Sequence, residues 1–359
     1  TGISIGSGYA VKIFPLSQGN VLVSWWPSTG IAQVQQYDAS GQALWGAPSA
    51  VSLGSSDTVV GNMFELDNGE FIVIFHKVLS GINSFLYAQR FDISGAPVWT
   101  APVQISDQAT AFNRDYQGMM IQNRAYMGYY ASSGTRFDTF LQCLNPDGTI
   151  PWGINGASFD TTQAFYETNP YMAFKEGSGV VWMSSTYTNT SQSAKGTYLQ
   201  KFDLNSGERM FGDGAFELYP VGSESVPVGG MNIADQGPIL LIKEGVDNGA
   251  SPTALRATYL DDSGQSIWPE GLRDVATFQA NKGRIHHTEM VNNQSVAVFV
   301  EQKSGSAKIY AQNIVEGEVV LSQNDFDSAI DLLFINPFSQ NLLSKATNPE
   351  IYRVEIYDA

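Results

Sequence analysis

The residues with the strongest catalytic potential in this chain are carboxylates and arginines in polar loops. Glycoside hydrolysis needs two carboxyl groups at a set separation. The candidates for such a pair are Asp115, Glu167, Glu224 and Glu244. Three arginines from different parts of the chain could converge on an acidic sugar, namely Arg114, Arg136 and Arg284. The alternative is that all of these side chains are solvated loop charges, because sequence spacing alone places no two of them together.

Aromatic residues in the same regions could stack on sugar rings. The candidates are the adjacent pairs Trp25-Trp26 and Tyr129-Tyr130, together with Tyr187. Because successive side chains of a strand point to opposite faces, one residue of each pair is expected to face the core. The alternative is that these rings are simply core residues, since aromatic side chains are common in buried strands.

The sequence gives no basis for a metal, a cofactor or an activated nucleophile. His286 and His287 are adjacent, so in a strand they would point to opposite faces. The single cysteine, Cys143, lies in an apolar stretch and is expected to be a small buried side chain. The chain has no glycine-rich phosphate loop and no serine elbow. We therefore predict no metal site and no cofactor, and we assign no catalytic residue.

Composition and charge narrow the class of partner. The chain has 359 residues and a net charge of −16, without a cluster of Lys and Arg, so we predict no nucleic-acid partner. No apolar run approaches the ~18–20 residues of a membrane span, so we predict none. Few charges, many aromatic residues and 35 glycines are typical of short strands joined by tight turns.

These residues have to be positioned by a repeated unit that runs through most of the chain. Six similar turns recur at intervals of 53 to 59 residues and are anchored by Gly41, Gly95, Gly148, Gly207, Gly264 and Gly317. A fixed period of this size indicates a repeat architecture. We predict an all-β fold, a six-bladed β-propeller with four-stranded blades, over residues 1–321.

Three columns of residues recur in the repeats, and each is expected to serve the scaffold. An Asp or Asn opens each of the first five turns and can accept hydrogen bonds from it. A large ring follows the glycine by four residues, as in Trp45, Trp99 and Trp152, and is expected to pack between blades. A buried Gln precedes the turn, as in Gln35 and Gln89, and is expected to bind backbone groups.

The two ends of the repeat region suggest how the ring closes. The sixth copy lacks the short segment that follows the turn in most other copies, whereas the chain begins with Ile3-Ser4-Ile5-Gly6 before its first strand. We therefore predict that the N-terminal residues complete the last blade, which would remove an exposed edge. Residues 322–331 are polar and acidic and are predicted to be a linker.

In a propeller the loops at one end share a face, where ligand-binding residues are expected. The residues predicted to bind a ligand there are Trp26, His76, Arg114, Asp115, Tyr166, Glu167, Tyr187, Arg284 and His287.

Residues 332–359 do not follow the repeat and contain an Asn-Pro turn and a stretch of alternating apolar residues. The residues that carry the pattern are Asn336, Pro337, Phe338, Val354, Ile356, Tyr357 and Asp358. This combination resembles the start of the C-terminal sorting domain of proteins exported by the type IX secretion system of Bacteroidetes. The resemblance implies the translocon of that system and its shuttle or attachment components as partners. It also implies a location outside the cell or on the outer-membrane surface. Thr1 is not an initiator Met, which agrees with earlier removal of a signal peptide.

The repeat region resembles the β-propeller ectodomains that are often joined to such tails. Its turns also resemble the tryptophan-docking turns of quinoprotein dehydrogenases and the Asp-box turns of sialidases, both of which are structural in those families. The expected function is that of an exported binding protein for a glycan or a surface protein. The alternatives are a secreted carbohydrate-active enzyme that uses loop carboxylates, and a purely structural part of a surface assembly.

Overall fold

The computed structural model describes residues 4–81, 83–111, 114, 116–246 and 248–316. Asp115, the linker and the residues that resemble a sorting domain lie outside this part of the chain, so nothing structural follows for them. The described residues form β-strands and contain no helix, as the sequence predicts. Within this part of the chain there is accordingly no helix long and apolar enough to cross a membrane.

The strands of the described residues form six antiparallel sheets in chain order. The first sheet contains β1 (Tyr9–Pro15), β2 (Val21–Trp26), β3 (Gln33–Tyr37) and β4 (Ser49–Ala50). The second contains β5 (Thr58–Glu65), β6 (Phe71–Ser80), β7 (Asn83–Phe91) and β8 (Val103–Gln104), and β9 (Thr110–Ala111) also pairs with β7. The third contains β10 (Gln117–Ile121), β11 (Arg124–Ser132), β12 (Phe137–Leu144) and β13 (Ala157–Ser158).

The remaining sheets repeat this pattern, except that the last one is smaller. The fourth contains β14 (Tyr166–Phe174), β15 (Val180–Thr188), β16 (Lys195–Asp203) and β17 (Phe216–Tyr219). The fifth contains β18 (Ser225–Ile233), β19 (Pro238–Glu244), β20 (Thr253–Tyr259) and β21 (Arg273–Ala280). The sixth contains β22 (Lys282–His287), β23 (Gln294–Ser304) and β24 (Ser306–Val315), and among the described residues it has no fourth strand.

Consecutive sheets pack against each other through their first strands. β1 contacts β5, β5 contacts β10, β10 contacts β14, β14 contacts β18, and β18 contacts β22. The apolar clusters likewise span neighbouring sheets, as in the one that joins Leu22 and Val34 of the first sheet to Met63 and Val73 of the second. This succession of sheets around their first strands is typical of a β-propeller.

The recurring tryptophan joins each sheet to the next, which confirms the packing role predicted for it. In four copies the indole Nε1 donates a hydrogen bond to a backbone oxygen of the following repeat. The acceptor lies one or two residues before the glycine of that repeat. The pairs are Trp45 to Ile93 at 3.0 Å, Trp99 to Pro146 at 3.2 Å, Trp152 to Asn205 at 3.0 Å and Trp268 to Glu316 at 3.0 Å. One ring therefore caps the turn of the neighbouring sheet in the first three of these copies, and in the fourth it bonds the end of the sixth sheet.

The turn glycines are required by the ring above them as well as by their backbone conformation. Gly95 has φ 83°, and a methyl group there would lie 2.8 Å from Cδ2 of Trp45 and 2.6 Å from Oγ of Ser49. At Gly207 the same group would lie 2.7 Å from Cδ2 of Trp152. A side chain at either position would both strain the left-handed backbone and displace the docked ring.

The glutamine and aspartate columns also have the structural roles predicted for them. Nε2 of Gln142 donates to the backbone oxygens of Gly153 at 3.1 Å and of Ile105, in the preceding sheet, at 2.9 Å. Oδ1 of Asp92 accepts hydrogen bonds from N and Oγ of Ser94 at 2.8 and 2.7 Å, which lowers the pKa of this carboxyl. These bonds satisfy polar groups of the hairpin that would otherwise be left without partners.

The N-terminal residues form no strand in the described part of the chain. Residues 4–8 cross the end of β2, where a methyl group at Gly6 would lie 3.0 Å from Cε2 of Trp25. The closure of the last blade by the N-terminus therefore stays a prediction.

The first strands contain a feature that the repeat pattern did not predict. Each of them except β10 is interrupted by an irregularity at a similar point, with positive φ at Ala10, Asn169, Gly229 and Arg284. Bulges of this kind bend a strand and redirect its side chains.

We predict that Gly95→Ala destabilises the fold far more than Gly19→Ala. Gly19 has φ 81° and open space around it, so its substitution costs only the left-handed strain of about 1–2 kcal/mol. Gly95→Ala adds the collision with Trp45 and Ser49, an overpacking cost of roughly 1–3 kcal/mol. Urea unfolding of the two variants measures the difference, and equal midpoints would show that the ring is not docked on the glycine.

Candidate functional site

Five of the polar residues at the junction of the third and fourth sheets form one connected group, here called the acid–tyrosine cluster. Arg136 precedes β12, Asp138 lies in it, Asp160 follows β13, Glu167 is the second residue of β14, and Tyr187 lies near the end of β15. The ends of these strands and the loops between them meet at one edge of the two sheets. The cluster thus depends on contacts between residues far apart in the chain.

Asp160 is the residue on which the hydrogen bonds of the cluster converge. Its Oδ2 accepts from the hydroxyl of Tyr187 at 2.5 Å and from Oγ1 of Thr162 at 3.2 Å. Its Oδ1 accepts from the backbone N of Thr162 at 3.0 Å. The side chain is only 7% exposed, so these donors replace the water that would otherwise solvate the carboxylate.

Glu167 is a buried carboxyl that is neutral at pH 7. It is 1% exposed, and burial together with the charge of Asp160 raises its pKa to about 9. A hydrogen bond to Asp160 acts in the same direction, whereas the bond that Oε2 accepts from Thr139 N at 2.9 Å opposes it. Arg136 Nη2 lies 3.8 Å from Oε1, at the limit of an ion pair. Burial and Asp160 therefore outweigh Arg136 in setting the protonation state.

Arg136 ties the loop before β14 to the third sheet. Its Nε donates to Oδ1 of Asp138 at 2.5 Å, and its Nη1 and Nη2 donate to the backbone oxygens of Gln163 and Phe165 at 2.8 and 2.7 Å. The guanidinium also lies 6.0 Å from the centre of the Tyr166 ring. With its donors engaged in this way, Arg136 supports the loop rather than neutralising Glu167.

Two stacked tyrosines extend the cluster into the fourth sheet. The rings of Tyr187 and Tyr198 are 3.8 Å apart and within 10° of parallel. Tyr198 donates a hydrogen bond to Oε2 of Glu217 at 2.5 Å. Each of the two tyrosine hydroxyls thus bonds one carboxyl group, as Tyr187 does with Asp160. Burial raises the pKa of Tyr187 above its usual range, so the phenol stays protonated and continues to donate.

The surface above this sealed network is formed by a smaller group of residues. Tyr166 is half-buried, and its hydroxyl donates to the backbone oxygen of Thr135 at 2.6 Å. The side chains of Arg136 and Asp138 are 14% and 20% exposed. A bound molecule could therefore contact the Tyr166 ring and the edges of Arg136 and Asp138, but not Asp160 or Glu167 directly. Within the described residues no group of three or more potential ligands could hold a metal ion.

The structure brings Tyr166, Glu167 and Tyr187 together but places the other predicted binding residues in other sheets. Trp26 is half-buried at the end of β2, where its ring lies 4.9 Å from that of the exposed Tyr9 and Nε1 donates to Gly30 O at 2.9 Å. Arg114 is an exposed loop residue, and Arg284 is an exposed residue of β22. The candidate arginine trio is thus spread over separate sheets.

The histidines lie in strands rather than on exposed loops. His76 is fully buried in β6, where Nδ1 bonds Oγ of Ser84 at 2.8 Å, and burial lowers its pKa to about 3. His287 bonds Oγ of Ser295 through Nε2 at 2.7 Å, and burial lowers its pKa to about 4. Both imidazoles are therefore neutral at pH 7, and His76 cannot contact a ligand without movement of the strands around it.

Other residues considered from sequence have structural roles. Cys143 is fully buried, as predicted, and burial raises the pKa of its thiol. Trp25 is buried beside the half-buried Trp26, whereas Tyr129 and Tyr130 are both buried. One ring of the tryptophan pair faces the core, as expected, whereas both Tyr129 and Tyr130 do, because the third sheet is covered on both faces there.

Sequence reasoning missed Asp160, although it organises the cluster. The only local signal is an Asp followed by two threonines between two strands, which is typical of an ordinary turn. Its importance arises from Tyr187 and Glu167, which approach it only after the third and fourth sheets have packed together.

Comparison with known proteins identifies no family for this chain. No family model matches it, and no curated protein matches it. Among solved structures, an ulvan lyase bound to a saccharide is 13% identical, with a TM-score of 0.47, over 85% of this chain and 82% of that chain. An α-L-arabinofuranosidase of Fusarium graminearum with arabinobiose is 9% identical, with a TM-score of 0.48, over 85% of this chain and 92% of that chain. An α-L-arabinanase of Penicillium chrysogenum is 10% identical, with a TM-score of 0.45, over 84% of this chain and 92% of that chain. Similarity at these TM-scores and identities supplies neither a family nor an activity.

We predict that Glu167→Gln makes stability less sensitive to pH between 7 and 9. The pKa of Glu167 is raised from 4.5 to about 9, so in this range the folded protein holds a proton that the unfolded chain has released. The free energy of unfolding of the native protein therefore falls as the pH rises toward 9. His76 and His287 are neutral in the fold and lose their remaining protons from the unfolded chain just above pH 7, so their small contribution is the same in the native protein and the variant.

Urea midpoints of the native protein, Glu167→Gln and the exposed control Glu176→Gln at pH 7, 8 and 9 measure this effect. The control should follow the native protein, and Glu167→Gln should show a smaller decline. An identical decline in all three proteins would mean that Glu167 is ionised in the fold.

Proposed function

We propose that this protein is a six-bladed β-propeller that binds a saccharide, without cleaving it, at the rim between its third and fourth blades. The observation that carries the proposal is the fixed Tyr166 ring beside Arg136 and Asp138, above a hydrogen-bonded network that is closed to solvent. The six consecutive sheets and their tryptophan-docked turns support the blade count.

The chemistry of this surface suits a sugar. A tyrosine ring offers an apolar face to the C–H groups of a sugar ring, and a guanidinium and a carboxylate beside it can bond hydroxyl groups. The exposed Tyr9 and the half-buried Trp26 form a second aromatic surface at the corresponding strand ends of the first sheet. Two aromatic positions on one rim would suit a polymer better than a monosaccharide.

The support beneath Tyr166 favours binding over catalysis. Arg136 holds the loop of residues 160–165, and Tyr187 holds Asp160, so the surface is rigid before a ligand arrives. Preorganisation of this kind reduces the entropy lost on binding. A general acid must reach the glycosidic oxygen, and Glu167 at 1% exposure does not reach the surface.

A secreted carbohydrate-active enzyme is the second candidate, and one observation favours it. Glu167 is protonated beside Asp160, and two carboxyl groups whose environments differ are the arrangement that glycosidases use. This function would require the 160–165 loop to move so that substrate reaches Glu167.

We predict that Tyr166→Ala weakens polysaccharide binding by tenfold or more, while Tyr166→Phe keeps most of the affinity. A tenfold loss of affinity corresponds to about 1.4 kcal/mol of binding free energy, which is the loss expected when the stacking ring is removed. Phenylalanine retains the ring and therefore most of this energy. An array of plant and algal polysaccharides identifies the ligand, and calorimetry with the best binder compares the variants. Equal affinity of Tyr166→Ala and native protein would place the site elsewhere.

The same polysaccharides separate binding from cleavage. Incubation with the native protein should release no reducing ends and no unsaturated uronates. Turnover by the native protein that is lost in Glu167→Gln, with binding retained, would establish the enzyme instead. If no polysaccharide on the array binds, the result would favour the third function, a purely structural part of a surface assembly.

We also propose that the protein is a substrate of the type IX secretion system and resides outside the cell or on the outer-membrane surface. The proposal rests on the sequence pattern of Asn336, Pro337, Phe338 and the Val354–Asp358 stretch. Its partners would then be the translocon and the shuttle or attachment components of that system.

We predict that the full precursor is exported by a type IX-competent host and accumulates in the periplasm of a host that lacks the translocon. Immunoblots of medium, surface and periplasmic fractions measure the distribution. A Tyr357→Asp variant should be retained in the competent host, because a charge replaces an apolar residue of the signal. Export that is the same in both hosts would show that the resemblance is not functional.

A further inference from the structure

The junction of the fifth and sixth sheets contains a buried ion pair in the register that the acid–tyrosine cluster occupies two junctions earlier. In the fourth sheet, Glu167 and Tyr187 are the second-last cross-strand pair before the irregularity of the first strand. Lys282 and Glu301 hold the same position in the sixth sheet. Because both pairs lie near the start of a first strand, the two groups of residues lie at the same end of their sheets.

The buried pair contributes no net charge to the surface above it. Nζ of Lys282 lies 2.7 Å from Oε1 of Glu301, and neither side chain is exposed. The same Nζ donates hydrogen bonds to the backbone oxygens of Ala280, at 3.0 Å, and of Phe278. These bonds fix the end of β21 on the sixth sheet. Whichever of the two side chains holds the proton, the charges of the pair cancel.

Lys303 is a cation that the buried pair does not neutralise. Its Nζ lies 3.8 Å from Oε2 of Glu301, at the limit of an ion pair, and Oε1 of that carboxyl is already paired with Lys282. The Nζ also lies 5.6 Å from the centre of the Phe278 ring and 4.5 Å from the centre of the Tyr310 ring. Aromatic rings attract an ammonium group and hold it in place without cancelling its charge.

A second lysine and an exposed ring complete this surface. Lys308 of β24 is the cross-strand partner of Glu301 and is exposed. Because directly opposite residues lie on the same face of a sheet, Lys308 adds a positive charge beside the buried pair. Phe278 is 40% exposed, so its ring is accessible to a bound molecule. The surface, here called the Lys303 surface, consists of Phe278, Lys303, Lys308 and Tyr310.

The Lys303 surface differs from the surface at Tyr166 in its charge. At Tyr166, Nε of Arg136 lies 2.5 Å from Oδ1 of Asp138, so the cation beside the ring is compensated. At the Lys303 surface, the nearby carboxylate Glu301 is compensated from below by Lys282. An aromatic ring beside ammonium groups that keep their charge suits a sugar that is itself negatively charged.

We propose that the Lys303 surface binds an anionic sugar unit, with the sugar ring on Phe278 and its carboxylate or sulfate group beside Lys303 and Lys308. The inference rests on the saccharide-binding function proposed above and adds the charge of the ligand. The net charge of −16 repels an anion at long range. Salt screens this repulsion beyond about 10 Å, whereas the contacts with the two lysines act at short range.

Two matched pairs of polysaccharides test the charge of the ligand. Calorimetry in about 0.15 M salt compares polygalacturonate with its methyl ester, and dextran sulfate with dextran. The native protein should bind the charged member of one pair about fivefold more tightly than the neutral member, which is the upper range for an exposed ion pair. A preference in the first pair identifies a carboxylate, and a preference in the second identifies a sulfate. Equal affinity within both pairs, or no binding to any of the four, would overturn the proposal.

Variants of the full chain then locate the preference. Lys303→Met removes the charge and should abolish most of the preference for the charged polymer while leaving the affinity for the neutral polymer unchanged. Lys303→Arg keeps the charge and should keep the preference. Phe278→Ala removes the ring and should weaken the binding of both polymers. Lys77→Met, in the second sheet, is the control for the loss of one positive charge. The proposal is wrong if Lys303→Met reduces the preference no more than Lys77→Met does.

Tyr166→Ala separates this proposal from the site between the third and fourth sheets. If Tyr166→Ala binds like the native protein while Lys303→Met loses the preference, the Tyr166 site fails and the Lys303 surface stands. If Tyr166→Ala weakens the binding of both polymers while Lys303→Met changes neither, the Tyr166 site stands and the Lys303 surface fails.

Discussion

The docking of an indole ring on the turn of the next sheet is the interaction on which the rest of the structure depends. Trp45, Trp99 and Trp152 each cross from one sheet to a turn whose glycine leaves room for the ring. The contact is local to each junction, yet its repetition sets the spacing between consecutive sheets. Loops that are more than twenty residues apart in the chain therefore meet at the same rim.

The acid–tyrosine cluster is a consequence of one such junction. Once the third and fourth sheets are held together, Arg136 reaches the loop before β14, and Tyr187 reaches Asp160. Burial then keeps Glu167 protonated, so the two neighbouring carboxyl groups are not both charged and can be enclosed. The cluster supports the surface at Tyr166 instead of presenting its own groups to solvent. This division between a sealed support and an exposed contact surface is the physical basis for choosing binding over cleavage.

A repeat architecture also has a weak point, namely the junction where the first and last units meet. Elsewhere a sheet buries its face against the sheet that precedes it in the chain, as Met63 and Met172 show. On the first of the described sheets, Val11 and Ile13 remain exposed. Proteins that close a ring must solve this problem with a segment from an end of the chain or from elsewhere.

The sequence by itself determined the all-β class, the repeat, and the structural roles of the Trp, Gln, Asp and Gly columns, because each depends on spacing within one unit. It also identified Tyr166, Glu167 and Tyr187 as residues of interest, although it placed them on exposed loops. Only the tertiary structure decided that Glu167 and Tyr187 are buried around Asp160, that His76 is enclosed in β6, and that Ile13 of the first sheet is exposed. These properties depend on which sheets and loops meet across a junction. The periodicity of a single strand does not encode them.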